Sequence, residues 1–309
     1  MQLTTAVVLF SVLFPSKQWF APSQPINVNV VAPVEVTLML TDFAGKPFDA
    51  KGSAQVSGEK TVNLRELWDT LNTAGVYLLY AVPTGKDIRQ FIGTPLVISV
   101  RLDKRAGAPT TPMVVRVQPL CYAVMKTDKG QIKLAFYYDS APNTVDTVLR
   151  LMQDGFYDGL TFHRIVKGFV LQTGDPLGDG SGGPGFTIDA EFSDREHGPG
   201  VLSMARESDP IEDQGAPPRP EFANTAGSQF FICLDRARTK SLDRRFTVFG
   251  KVVEGMDVVE AIAQTPVENP ETGTPRERRE ILSVQVVPVR DGDNPYAGLL
   301  TIGDETKRE

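Results

Sequence analysis

Few side chains in this 309-residue sequence could do covalent chemistry or hold a metal. It has two histidines, His163 and His197, and two cysteines, Cys121 and Cys233. That is too few for a zinc or iron–sulfur site of the usual nitrogen and sulfur type. The cysteines lie far apart, each in an apolar strand-like run, so both read as buried thiols and a disulfide framework is excluded. No metal and no cofactor is expected. GSGGPG at 180–185 satisfies G-x-G-x-x-G literally. A dinucleotide site needs a strand before that motif and a helix after it, and a phosphate loop needs a Lys-Ser/Thr pair. Here Asp175-Pro176 precedes, strand-like FTIDAEF follows and a proline lies inside, so the segment reads as a flexible loop. There remains Arg164 in FHRIVKGFVLQTGDP at 162–176, a cationic fork of N–H donors set among Phe162, Ile165, Val166 and Phe169. The ordinary reading of one arginine beside a phenylalanine is a surface side chain laying its stem on apolar neighbours.

The elements around it change character near Pro119. From Trp19 to about Gln118 the pattern is all-β. Ile26, Val28 and Val30 alternate, as do Val34, Val36, Leu38 and Leu40, the period of half-buried strands. Further strands are expected at 75–82, 95–101 and 113–117, broken by turn residues such as Ala44-Gly45-Lys46-Pro47 and Pro83-Thr84-Gly85. Six or seven short strands at this spacing predict an immunoglobulin-like β-sandwich over 16–118, an accessory domain with no cluster of chemical residues. Residues 103–112 read as a linker or exposed loop. Beyond them, 120–125 and 131–136 form a hairpin around Asp128-Lys129-Gly130. A helix begins near Pro142, buries Val145, Val148, Leu149 and Met152, and stops at Gly155. A second covers about 255–264. Two helices among short strands over 119–290 predict a closed β-barrel capped by helices, so the fold class is mainly β. Residues 291–309 read as a tail.

The net charge of −6 is unevenly spread: residues 1–120 hold 11 Lys and Arg against 8 Asp and Glu, and the remainder 21 against 30. No basic stripe emerges, and no nucleic-acid partner is expected. The apolar run LTTAVVLFSVLF at 3–14 is too short to span a bilayer. It reads either as a signal-peptide core, which would make the protein exported or periplasmic, or as a first strand, which leaves it cytoplasmic. No stable membrane span is expected.

Four blocks revise the reading of Arg164: GFYDGLTFHRIVKGFVLQTGDP at 155–176, PGVLSMAR at 199–206, NTAGSQFFICL at 224–234 and SLDRRFTVFGKVVEGMDVVEAI at 241–262. Together, in this order, they closely resemble the cyclophilin family of peptidyl-prolyl cis–trans isomerases over about 119–290. The resemblance implies an eight-stranded barrel with two capping helices and a groove on its outer face, acting on proline-containing polypeptides. It implies that Arg164 is the catalytic arginine and that Phe169, Phe231 and Leu242 form the proline pocket, with Met204 beside them. It implies that Gln172 holds the substrate near its carbonyl, that Ala205 and Arg206 form an edge binding peptide partly through the backbone, and that Gln229 lines the groove. His163 matches a family histidine and reads as a packed and hydrogen-bonded neighbour of the arginine. The alternative from another class is a non-catalytic proline-peptide or chaperone module, targeted by the N-terminal domain.

Three departures from the family matter. Ser241 replaces a tryptophan that cyclosporin contacts in eukaryotic members, so weak cyclosporin binding is expected. Phe246 replaces a histidine and makes the pocket more apolar. The stretch between Arg206 and Gln229 is longer than in compact members. Its extra residues, about 207–221, read either as a solvated insertion or as an acidic screen over the groove. In the second reading an Ala216-Pro217 or Arg219-Pro220 unit could occupy the proline pocket from within the chain, and the acidic half would favour basic substrates.

Overall fold

The structure is a computed structural model that describes residues 12–299 apart from residues 23, 103–112 and 215. It divides into two compact units, one of the described residues up to Cys121 together with those from Pro288, the other Tyr122–Val287.

The first unit comprises β1 (Val12–Pro15), β2 (Trp19–Phe20), β3 (Asn27–Asp42), β4 (Pro47–Phe48), β5 (Gln55–Asn63), the short helix α1 (Leu64–Leu67), β6 (Gly75–Pro83), β7 (Leu96–Leu102) and β8 (Met113–Pro119). The alternation of β3 and the residue before it is realised except at Val34, half-buried beside Pro33. Ile26, Val28, Val30, Ala32, Val36, Leu38 and Leu40 are all buried in one cluster with Trp68, Leu79, Ile98 and Val117. The strands form one continuous sheet, not the two separate sheets of the expected sandwich, in the order β1-β3-β6-β7-β8-β2 with β4 and β5 also on β3. The reason is the length of β3. Its pairing with β5 shifts register between Ala32 and Val36, across Pro33, which has no N–H to give. The first half then pairs with β1 and the second with β6, so one strand serves both sides of the core.

Of the apolar run at 3–14, the part from Val12 onward is strand β1; the rest lies outside the described residues, as does the expected linker at 103–112. The described residues from Pro288 onward, which include the start of the expected tail at 291–309, pack into this first unit. Tyr296 is buried, meets Phe43 edge to face and donates from its hydroxyl to the Cys121 carbonyl at 2.7 Å. One buried ring with a satisfied hydroxyl outweighs the polarity of its neighbours in sequence.

The second unit holds β9 (Cys121–Thr127, whose first residue belongs to the other unit), β10 (Gly130–Phe136), α2 (Pro142–Gln153), β11 (Arg164–Val166), β12 (Val170–Thr173), β13 (Val201–Met204), α3 (Pro220–Ala223), β14 (Phe230–Cys233), α4 (Arg236–Thr239), β15 (Val248–Glu254), α5 (Met256–Ala263) and β16 (Ile281–Pro288, whose last residue belongs to the other unit). The eight strands run β11-β12-β14-β13-β15-β10-β9-β16. The sheet curls until its ends meet: Thr161, just before β11, bridges Glu280, just before β16, and Ile281 N–H donates to the Leu160 carbonyl at 2.8 Å. The two longer helices lie where the apolar periodicity predicts. α2 buries Val145, Val148, Leu149 and Met152, and α5 buries Val259 and Ile262. Among the described residues, no helix is long and apolar enough to cross a membrane.

Candidate active site on the outer face of the barrel

Strand pairing assembles the site. Arg164 on β11 stands opposite Gln172 on β12, Gln172 opposite Phe231 on β14, and Phe231 opposite Ser203 on β13. Residues directly opposite in an antiparallel sheet share a face. The adjacent row, Ile165, Leu171, Ile232 and Leu202, is at most 1% exposed and faces the barrel core. The first row is therefore on the outer face.

A chain of hydrogen bonds runs along this face. Arg164 Nη1 donates to Gln172 Oε1 at 3.5 Å, and Gln172 Nε2 donates to Gln229 Oε1 at 2.9 Å. Gln229 Nε2 then donates to the carbonyls of Gly180 and Gly182 at 2.9 and 2.8 Å. The glycine-rich segment is thus tied into the site, where the sequence alone predicts a flexible loop. Its anchor is buried Asp175, whose carboxylate accepts from the N–H groups of Leu177, Asp179 and Gly180 at 2.8, 3.0 and 2.5 Å. Gly182 is obligatory here, because a Cβ on it would fall 2.0 Å from Asp175 Oδ1.

An apolar wall stands beside the row. Phe231 meets Phe246 edge to face, with centroids 5.8 Å apart, and its ring stacks on His197 at 6.2 Å. Phe246 and Leu242 are half-buried on one turn, where the Leu242 carbonyl accepts from the N–H groups of Arg245 and Phe246. Asp243 in that turn fastens it to buried His197, accepting from the histidine N–H at 2.8 Å and pairing with Nδ1 at 3.0 Å. Phe169, half-buried in the turn between β11 and β12, lies under the Arg238 guanidinium at 5.4 Å. Ala205 N–H donates to the Gln229 carbonyl at 2.9 Å.

Two candidates stand apart from these. Met204 has the parity of Leu202, pairs with core residue Phe230 and is 1% exposed, so strand alternation turns it to the core face. The Arg206 guanidinium, 4.3 Å over the Phe246 ring, is engaged within the chain by Glu212 and the carbonyls of Arg245 and Glu207. Only the backbone of Arg206 is left for a groove edge. Val170 is a residue that the motif reading misses. It lies two positions from Gln172 on β12, shares the outer face and is 2% exposed. Strand alternation from Gln172 was the signal that could have found it.

Burial sets the electrostatics. It lowers the Arg164 guanidinium from its ordinary pKa, although arginine remains a cation at any physiological pH. It also lowers His163, which is 8% exposed, with Asp175 opposing and Arg164 reinforcing the shift. Of the two thiols, Cys233 is fully buried and pushed up to about 12, while Cys121 is only half-buried. Between the glycine loop and the 205–207 edge lies an open groove of about 700 Å³, reaching Gln172 and Gln229.

The chain belongs to the family of cyclophilin type peptidyl-prolyl cis-trans isomerases, whose family model matches residues 122–286. Its activity is the cis–trans isomerisation of peptidyl-prolyl bonds. It is 44% identical to a peptidyl-prolyl cis-trans isomerase of Synechococcus elongatus over 142 residues, which cover 45% of this chain and 87% of that protein. It is 40% identical to the Helicobacter pylori protein of the same name, over 46% of this chain and 80% of that one. Among solved structures, it resembles a Cryptosporidium parvum cyclophilin type isomerase crystallised with the dipeptide Ala-Pro. The TM-score is 0.47 and the identity 26%, over 54% of this chain and 99% of that one.

Proposed function

We propose that Arg164 is the catalytic group and that the outer face around it binds the X-Pro unit of a polypeptide. The observation that carries this reading is the cross-strand row of Arg164, Gln172 and Phe231, with Gln172 bonded to both Arg164 and Gln229. An X-Pro bond resists rotation, with a barrier of about 18–20 kcal/mol, because nitrogen shares its lone pair with the carbonyl. At the twisted transition state the lone pair localises on nitrogen and accepts a hydrogen bond. A guanidinium aimed there favours that state over either planar one. Phe231, Phe246, Leu242 and Phe169 supply apolar surface for the proline ring. Gln172, held between Arg164 and Gln229, is placed to bind the substrate backbone at the groove edge formed by Ala205 and Arg206. His163, next to Arg164 in the chain, is buried and neither ring nitrogen has a hydrogen-bond partner among the described residues, so its contribution is packing. Nothing in this scheme requires a nucleophile or a bound cofactor.

The test is turnover of an Ala-Pro peptide by the full chain and by Arg164→Ala. Removing one preorganised donor lowers the rate about 10²–10³-fold, while peptide binding persists on the phenylalanine wall. Wild-type turnover in the variant would overturn the assignment.

A further inference from the structure

The insertion at 207–221 carries several acidic residues, and the structure separates those whose charge is compensated from the one that reaches the groove. Buried Asp209 accepts from Arg219 N–H and Nε, each at 2.9 Å, and from its Nη2 at 3.0 Å. Glu212 receives Arg206 Nη2 at 2.6 Å and Nη1 at 3.0 Å. The first pair closes the insertion on itself, and the second ties it to the groove edge at Arg206. They also commit Arg219-Pro220 to the start of α3, so this unit is not free to enter the proline pocket.

Two charged residues line the groove, Arg206 and Glu207. The Arg206 side chain is 2% exposed and compensated by Glu212. Glu207 is exposed, its N–H held by Thr225 Oγ1 at 2.8 Å, and its carboxylate makes no hydrogen bond or ion pair among the described residues. The groove therefore carries one uncompensated negative charge. Its glycine-loop side presents Leu177 and Phe186, 69% and 48% exposed. Exposed apolar surface with one anion nearby fits a long aliphatic stem ending in a cation. The stem covers Leu177 and Phe186, the aromatic face attracts the cation, and Glu207 supplies the charge. An acidic side chain would be repelled there.

We propose that Glu207, with Leu177 and Phe186, makes this groove a subsite for a lysine or arginine side chain of the polypeptide substrate, near the proline bound at Arg164. The proposal rests on the assignment of Arg164, Gln172 and Phe231 made above. The experiment uses the full chain and peptides sharing one Ala-Pro unit, with Lys, Arg, norleucine or Glu placed at each flanking position in turn. At one position, Lys and Arg peptides should exceed the Glu peptide about three- to tenfold in kcat/KM at low salt, with norleucine between them, and added salt should shrink the gap. Glu207→Gln should abolish the preference and Glu207→Lys invert it, each judged against that variant's own rate on the norleucine peptide. Glu221→Gln, which alters an exposed carboxylate of the insertion that does not line the groove, should retain it. Equal rates for Lys and Glu at every position, or a preference untouched by both Glu207 variants, would overturn the proposal. Failure of the underlying assignment shows separately, as Arg164→Ala with undiminished turnover.

Discussion

Gln172 and Gln229, on neighbouring strand ends, share a hydrogen bond of 2.9 Å that joins Arg164 on one side to the glycine loop on the other. Because Gln172 Oε1 accepts from Arg164 and Gln229 Nε2 donates to Gly180 and Gly182, the two amides can satisfy these partners in only one orientation. Gln172→Met keeps the length of the side chain and removes both bonds. Loss of one hydrogen bond to a charged group is worth about 1.5–3 kcal/mol. If that loss falls on the transition state, kcat/KM on an Ala-Pro peptide should drop about ten- to a hundredfold, with thermal stability close to wild type. An unchanged kcat/KM would show that the relay does not aim Arg164.

The glycine loop offers a steric test. In Gly182→Ala the new methyl would meet Asp175 Oδ1 at 2.0 Å and Leu177 at 3.0 Å, so the loop must move and Gln229 loses an acceptor. Overpacking of this kind costs about 1–3 kcal/mol. The urea midpoint and peptide turnover should fall together in this variant. Gly183→Ala, one residue on, where a Cβ meets nothing within 4 Å, should leave the midpoint near wild type.

Two buried histidines give the pH dependence its sign. Burial lowers His197, with Asp243 opposing, and also lowers His163. In the unfolded chain both titrate near pH 6.5. Between that value and the lower folded values the unfolded chain binds the extra protons, so stability falls as pH falls through this window. Each histidine contributes at most about 1.4 kcal/mol per pH unit. The carboxylates of Asp209, Glu212 and Asp243 are held low, so their stabilisation is lost only further down, as pH falls from the ordinary carboxylate range through their lower folded values. The urea midpoint should therefore decline between about pH 6.5 and 5, and less steeply in His197→Gln. A flat midpoint across that window would contradict the burial of both rings.

Ser241 is exposed beside the Phe246 turn and carries no ring. Cyclosporin should accordingly bind weakly. Ser241→Trp should tighten binding about ten- to a hundredfold, since burying an aromatic side chain contributes about 1.5–3 kcal/mol. Tight binding by the unsubstituted protein, measured by titration calorimetry, would refute this.

The sequence by itself determined the second unit, through four blocks that resemble the cyclophilin family in a fixed order, and that resemblance named the candidate site residues. Helical spacing sets the buried sides of α2 and α5, because that information is local. Strand pairing is what puts Arg164, Gln172 and Phe231 in one row. Alternation along β3 placed Val28, Val30, Ala32, Val36, Leu38 and Leu40 inward, but it carried no signal for the register shift at Ala32–Val36, where Val34 is only half-buried, that turns an expected pair of sheets into one. Only the tertiary structure decided which charges survive at the groove. Asp209 and Glu212 look as available as Glu207 when read along the chain. They are compensated because folding brings Arg219 and Arg206 against them. The glycine loop likewise became part of the site only when Gln229, some fifty residues away, reached its carbonyls. Hydrogen bonds and ion pairs of this kind join groups whose separation along the chain has no period, so no local pattern encodes them, and their partners exist only once the sheet has closed.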